Sequence, residues 1–475
     1  MVCNSKTISR RKETYKAGAV KLMIAGIIVR LMGFANRIFM SNLIGAEGMG
    51  LFQLTSPVYS LIILTLTSGV SISVSGMTAS EAAVGRDGNA RRIAKTAFFL
   101  LLALGAAAGL ALVLTAHGIA VNILHDERTY LSMVMLAPCI PIVASASAVK
   151  GYFYGTCNVG PNAVGQIVEQ VVRIGVIFAL AQAIAGENLA YACALATVSS
   201  ALGEMANLLV VGAVFVYRGK RSGAYEAAGA VTLPRRRAAS QIVRTSLPIS
   251  ASRFLTSLMG TLETVILPMR FVAGGYTYKT SIEVLGNLSG MAMPILTFPS
   301  VLTSALATTL VPAIAEARSR GKTELAASRI YRCIRLSFFM GFSFFGVFYA
   351  MGDFIGNLFY PGQDAGVYLT MLAPCCVLMY FQQTMSGILN GLEKQGCALL
   401  VTSVSYGIRI AFIWFLLPGI GVYAYIIGIL CGMLVSSVIT LWVVCKETGL
   451  EINPFEWIIF PAIPGLLIAL LGWLF

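Results

Sequence analysis

Met135-Leu-Ala-Pro-Cys139 recurs as Met371-Leu-Ala-Pro-Cys375, and this recurrence decides the fold. Extended without a gap, the alignment sets Gly151, Gly155 and Gly160 on Gly387, Gly391 and Gly396, and Arg173-Ile174 on Arg409-Ile410. Of the 46 positions from Met135 to Leu180, 13 are identical in the second copy. Roughly 4 identities would be expected by chance in a composition so rich in Leu, Ala, Gly and Val. Glu81-Ala82 and Glu316-Ala317 repeat at nearly the same offset, so the duplication reaches beyond the first stretch. Weak internal symmetry of this kind in an apolar chain is what transporters built from two repeats leave behind.

The 475 residues are 57% hydrophobic and 11% charged, with a mean hydropathy of +0.81. Water-soluble globules carry about 25% charged residues, which excludes that class. The bilayer offers no water to peptide groups, so a spanning chain is helical or a closed barrel. The apolar runs here have the length of helical spans rather than of alternating barrel strands, and the fold class is therefore an all-α polytopic membrane protein. The ten cysteines form no CxxC pair and read as small packing residues. The first apolar run is long, carries Lys21, Arg30 and Arg37 and lacks a small-residue cleavage site, so it reads as a retained helix rather than a signal peptide.

Apolar runs place spans at 17–40, 50–77, 93–117, 130–152, 161–185 and 189–216, then at 241–270, 284–313, 330–352, 366–390, 397–417 and 421–445, with a further run from Trp457 to Phe475. The expected organisation is a six-helix lobe (1–216), a basic linker (217–240), a second six-helix lobe (241–445) and an additional C-terminal helix (446–475). Loop charge supplies an independent test. The N-terminal tail (Lys6, Arg10, Arg11, Lys12, Lys16) and the second, sixth and eighth loops are rich in Lys and Arg; Ser41–Met49, Gly186–Asn188, Asp353–Gly366 and Pro418–Gly421 contain none. The positive-inside rule then puts the N-terminus in the cytoplasm of a multi-pass plasma-membrane protein, with the two copies as parallel repeats. Most of the net charge of +14 belongs to this topology and to contact with anionic membrane lipids, not to nucleic acid.

An ionisable residue at mid-bilayer costs about 2.5–3.5 kcal/mol on insertion scales, so each needs a partner or a wet cavity. Arg30 and Arg37 lie seven residues apart, about two turns, on nearly one face of the first span. The first span of the second half carries Arg253, Glu263 and Arg270, with Arg253 and Glu263 about 80° off a common face. If these helices face each other they line a net positive cavity, and guanidinium forks suit phosphate or pyrophosphate oxygens bidentately. Glu169 and Arg173 stand at i and i+4 and neutralise each other locally. Arg409, the repeat of Arg173, lacks that acid because Ser405 replaces Glu169. Glu204 in the sixth span is a packing or a proton-coupling group. No GxxxxGK[ST] or HExxH occurs, and the two histidines have no ligand set around them, so neither a nucleotide-driven pump, a metalloenzyme nor any cofactor is indicated.

Arg30-Leu-Met-Gly-Phe-Ala-Asn-Arg-Ile38, Ile44-Gly-Ala-Glu-Gly48 and Gly50-Leu-Phe-Gln53 form a set with Lys150-Gly-Tyr-Phe-Tyr-Gly155, Glu169-Gln-Val-Val-Arg173, Ser252-Arg-Phe254, Leu296-Thr-Phe-Pro-Ser300 and Leu310-Val-Pro-Ala-Ile314. As a set they resemble the polysaccharide-biosynthesis branch of the multidrug/oligosaccharidyl-lipid/polysaccharide flippase superfamily over nearly the whole chain. The resemblance implies two six-helix lobes that rock around a central cavity, and a lipid-linked sugar as substrate, of the kind used for peptidoglycan or spore cortex. It also implies that Arg30 contacts pyrophosphate. A second arginine of the related lipid II flippases falls at Asn36, beside Arg37, and a third has no counterpart among Ser60–Thr67. Other readings carried forward are a multidrug cation antiporter, which would use Glu263 or Glu204 unpaired, and a scaffold for envelope-synthesis enzymes. The expected substrate-binding set is Arg30, Asn36, Arg37, Arg253, Glu263 and Arg270.

Overall fold

The computed structural model describes residues 5–185, 189–226, 233–304, 314 and 323–474, and among them every regular element is a helix. The expected turn Gly186–Asn188, the middle of the expected linker (227–232), most of Leu310–Ile314, and Glu316, Ala317, Arg318, Arg320 and Lys322 lie outside the described residues.

The first element runs from Ser5 to Ala83 and contains one non-helical residue, Gly45, at φ 68° and ψ −175°. Its apolar part, Ile24–Ala83, has 60 residues, about 90 Å of helix against about 30 Å of hydrocarbon. It therefore crosses twice, with Gly45 as the turning point. Ser41–Met49, expected as a loop, is helical on both sides of that one residue, since only glycine adopts those angles without strain. The chain continues through Asp87–Asn122, the broken pair Thr129–Leu136 and Cys139–Gly155, then Gly160–Ala185, Leu189–Glu226 and Arg235–Ala273. Helix thus occupies much of the expected linker at both of its ends, with Pro234 setting the second start.

The second half contains Tyr278–Leu285, a π-turn at Gly286–Ala292, Met293–Thr297, Thr323–Phe359, the pair Ala365–Leu372 and Cys375–Gly391, then Gln395–Phe415, Val422–Thr448 and the C-terminal Phe460–Leu474. The repeated Met-Leu-Ala-Pro-Cys motif is where a helix breaks in each copy. Pro138 and Pro374 stand immediately before the helices that restart at Cys139 and Cys375, and in the second copy the two pieces are bent by 64°. Proline has no N–H to return to the preceding turn, which explains a matching break at a repeated proline. By length and composition, 10 helices of the described residues can cross a membrane, or 11 with the bent pair. Dividing the first element at Gly45 adds one more.

Contacts divide the chain into two compact units. Unit 1 comprises Met1–Leu43 and Leu54–Ser257; unit 2 comprises Ile44–Gln53 and Leu258–Phe475. The core of unit 1 gathers Val70, Val74, Ile93, Leu101, Ala144 and Ala148, and the start of the Arg235–Ala273 helix joins it through Ala238 and Ile242. That packing carries the first unit past the expected linker to Ser257. In unit 2 the core around Ile330, Ile334, Phe381, Met385 and Ile388 includes Trp457, which is 2% exposed.

Buried charge pairs and exposed arginines

The Gly160–Ala185 and Leu189–Glu226 helices of unit 1 approach closely because Gly165 and Gly203 present no side chain at the crossing. A Cβ on Gly203 would lie 2.9 Å from the Glu169 carbonyl oxygen, and one on Gly165 would lie 2.7 Å from Asn207 Oδ1. In the space so created Arg173 donates through Nη2 to Glu169 Oε1 at 2.9 Å, and Asn207 donates through Nδ2 to Glu169 Oε2 at 2.6 Å. Both oxygens of the buried carboxylate are thus satisfied. Arg173 also reaches Glu204 at 4.0 Å, and Lys150 brings further positive charge toward that acid. Glu204 Oε2 is buried without a hydrogen-bond partner. Sequence spacing anticipates the Glu169–Arg173 pair; the fully buried Asn207 carries no sequence signal beyond its polarity in an apolar helix.

Unit 2 solves the same problem with a different acid. Arg409 Nη1 lies 3.6 Å from Glu263 Oε2, so the charge missing at Ser405 comes from the Arg235–Ala273 helix. Buried Tyr425 lies beside Glu263, and the Arg409 guanidinium lies 5.4 Å from the centre of the Tyr406 ring. Glu263 is 6% exposed. Among the described residues its ion-pair partner is Arg409 of the same unit, and Arg253 belongs to unit 1. Sequence offers Glu263 as the one acid within the second half's expected spans, beside Arg253, Arg270 and Arg409, and packing decides which arginine takes it.

Arg270 is tied as well. Its Nη2 donates to the Trp414 carbonyl oxygen at 2.7 Å, and its guanidinium stacks 4.7 Å from the Trp414 ring, joining the ends of two helices of unit 2. Arg30 and Arg253 are exposed, Arg37 is half-buried and Asn36 is buried with Oδ1 lacking a hydrogen bond. Arg30, Arg37 and Arg253 all fall in unit 1, although sequence placed Arg30 and Arg253 on opposite lobes. The reason is again the packing of Ala238 and Ile242 into the first core. Among the described residues no three His, Cys, Asp or Glu side chains converge as metal ligands.

A family profile described as polysaccharide biosynthesis protein matches residues 16–318, and a second, described as MatE, matches residues 285–415. Stage V sporulation protein B of Bacillus subtilis is 28% identical over 94% of this chain and 86% of its own length. Lipid II flippase MurJ of the same organism is 24% identical, covering 83% of this chain and 75% of the relative. Among solved structures, the inward-facing conformation of a multidrug resistance MATE family transporter of the MOP superfamily superposes with a TM-score of 0.69 at 17% identity, over 89% of this chain and 98% of that one. The fold is that of these membrane transporters.

Proposed function

This chain belongs to the polysaccharide biosynthesis protein family, and on that premise we propose that it moves an undecaprenyl-pyrophosphate-linked sugar from the cytoplasmic to the outer leaflet by alternating access. The observation that carries this reading is the sorting of membrane charge. Glu169 and Glu263 are each held by an arginine of their own unit, whereas Arg30 and Arg253 remain exposed. Both exposed side chains are positive, and planar guanidinium groups match pyrophosphate oxygens. Arg37 and Asn36 follow on the same helix as Arg30 and complete the proposed headgroup contacts.

No covalent step is required. Two states that bind the headgroup differently, biased by an energy source, suffice. The repeat-derived lobes 1–216 and 241–445, a cytoplasmic N-terminus, contact of the basic loops with anionic lipids, and association with envelope-synthesis enzymes of spore cortex or wall belong to the same proposal. A multidrug cation antiporter is the second reading, favoured by one observation: Glu204 keeps a buried oxygen without a hydrogen bond. Glu263, the other acid such a mechanism would use, is occupied by Arg409.

The test is the leaflet distribution of a lipid-linked sugar in reconstituted vesicles, beside resistance of cells to cationic drugs. Arg30→Lys and Arg253→Lys keep the charge and lose the fork, so flipping falls by about tenfold or more while insertion stays normal. Unimpaired flipping in Arg30→Ala and Arg253→Ala, with drug resistance lost in Glu204→Gln, establishes the antiporter instead.

A further inference from the structure

The two units differ in the acids that accompany their basic helix ends. In unit 1, segments 81–95 and 217–244 hold eleven Lys and Arg against three Asp and Glu; in unit 2, segments 316–335, 392–396 and 445–456 hold eight against six. Two of the unit 2 acids are paired: Lys394 Nζ lies 2.7 Å from Glu447 Oε1, and Arg335 Nη1 lies 3.7 Å from Glu456 Oε2. In unit 1, Glu81 accepts from Asn89 Nδ2 at 2.9 Å. Arg86, Lys95, Arg235, Arg236, Arg237 and Arg244 are exposed and enter no ion pair among the described residues.

The unit 1 segments form one surface. Arg91 Nη2 donates to the Arg218 carbonyl oxygen at 2.9 Å, Arg92 Nη1 donates to that of Leu233 at 3.0 Å, and Leu233 N–H donates to Asn89 Oδ1 at 3.3 Å. A carbonyl oxygen orients a guanidinium without cancelling its charge, so Arg91 and Arg92 add to the field of the exposed cations. Topology does not account for the difference between the units. Orientation is set by Lys and Arg, and acids contribute little to it. The acids of unit 2 therefore cancel its field at no cost to orientation, and unit 1 could carry them equally. Bulk anionic lipid would meet both units alike.

We infer that the surface formed by 81–95 and 217–244 gathers the pyrophosphate headgroup of the substrate lipid to unit 1 before transport. The inference rests on the substrate class of the proposed function and adds a surface outside the Arg30, Asn36, Arg37 and Arg253 contacts. Charge alone supplies selectivity over bulk lipid. A pyrophosphate joined to a lipid and to a sugar keeps two negative charges, whereas the phosphodiester of phosphatidylglycerol keeps one. Enrichment in a given potential multiplies with each charge, so about fivefold for one charge becomes about twenty-fivefold for two. Arg237 and Arg244 stand seven residues apart on nearly one face of the Arg235–Ala273 helix, which carries Arg253 about 14 Å farther along. Gathering thus raises the headgroup concentration near the proposed contacts.

The test adds acids and leaves every Lys and Arg in place, so the orientation signal is unchanged. Val84, Ser240 and Gln241 are exposed within these segments. The acidic variant, Val84→Glu with Ser240→Glu and Gln241→Glu, is compared with a neutral control, Val84→Gln with Ser240→Gln. A fluorophore on p-acetylphenylalanine at position 217, beside Arg218, reports on the full-length protein in phosphatidylcholine nanodiscs. Nitroxide-bearing isoprenyl lipids that carry the same sugar through two phosphates, or through one, are titrated as quenchers. The acidic variant is expected to raise the half-quenching mole fraction about fivefold or more for the two-phosphate lipid and about twofold for the one-phosphate lipid, with the control at parental values. Raising KCl to about 0.5 M should bring the parent to the acidic variant's value, an arm that holds even if that variant does not insert. Parental quenching by the two-phosphate lipid in the acidic variant, or an unchanged parent at high salt, overturns the inference. So does equal competition by phosphatidylglycerol and by unlabelled two-phosphate lipid, which would make the surface a bulk lipid contact. Quenching requires no transport. If it follows charge while the parent flips no lipid-linked sugar, the proposed function is what fails; if flipping proceeds while quenching ignores charge, this inference alone fails.

Discussion

Asn207 is fully buried and gives its amide hydrogen to a carboxylate that already faces an arginine. Replacing it by leucine leaves Glu169 Oε2 without a donor, and the expected loss is about 1–3 kcal/mol, seen as a lower melting temperature in detergent with transport preserved. Glu169→Gln is more severe, about 3–5 kcal/mol, because it leaves the half-buried Arg173 with Glu204 at 4.0 Å as its remaining acid. It should lower protein yield before specific transport; normal abundance with abolished flipping would move Glu169 into the substrate site. The corresponding experiment in unit 2 is a double-mutant cycle: Glu263→Leu and Arg409→Met should each destabilise more than the pair does together, since the double variant leaves no uncompensated charge. Additive losses would mean that the 3.6 Å contact carries no coupling. These two pairs also mark how far sequence reaches at this scale. Glu169–Arg173 is legible because both ions sit on one helix, where spacing fixes geometry. Arg409–Glu263 joins residues 146 positions apart, and periodicity within a helix says nothing about which neighbour faces it.

At the scale of elements, the C-terminal helix belongs to the core of unit 2. A Cβ on Gly465 would run into the Phe342 carbonyl oxygen, one on Gly346 into that of Gly465, and one on Gly472 into Ala350. Tyr331 donates to Glu456 at 2.7 Å and its ring meets that of Trp457 at 5.3 Å. Gly465→Leu should therefore force the helices apart and cost about 1–3 kcal/mol or more as overpacking. Leu470→Ala, on the exposed face of the same helix, should stay within about 0.5 kcal/mol. Thermal unfolding of the two purified variants in one detergent separates them, and equal melting temperatures would deny the glycine crossing its role. Hydropathy announces this helix, whereas the breaks before Cys139 and Cys375 fall inside the expected continuous spans 130–152 and 366–390. The Gly45 elbow is hidden in sequence, because a glycine-containing stretch without Lys or Arg reads as a short outer loop whether its flanks are coil or helix. The unit boundary at Ser257 is hidden for another reason: it falls inside a continuous helix, where composition does not change.

At the scale of the whole molecule, orientation follows from where positive charge accumulates. Arg86, Lys95, Arg218, Arg235, Arg236 and Arg237 are exposed at helix ends on the side that also carries the turn at Cys157. The turns at Glu127 and Asp364, one helix length away in each unit, belong to loops of the opposite parity. Moving Lys or Arg across the bilayer is the costliest choice available to an inserting chain, so the basic side should be cytoplasmic. Native Cys157 is exposed, which makes the untouched protein its own probe. A membrane-impermeant maleimide applied to intact cells should leave the parent protein unlabelled and should label it after permeabilisation. Glu127→Cys and Asp364→Cys should be labelled in intact cells, and Arg236→Cys only after permeabilisation. Labelling of Arg236→Cys from outside, with Glu127→Cys protected, would invert the protein. The headgroup would still pass from the cytoplasmic to the outer leaflet but would cross the protein in the opposite sense, because a pyrophosphate headgroup made in the cytoplasm would first meet the side of the protein that carries Glu127 and Asp364.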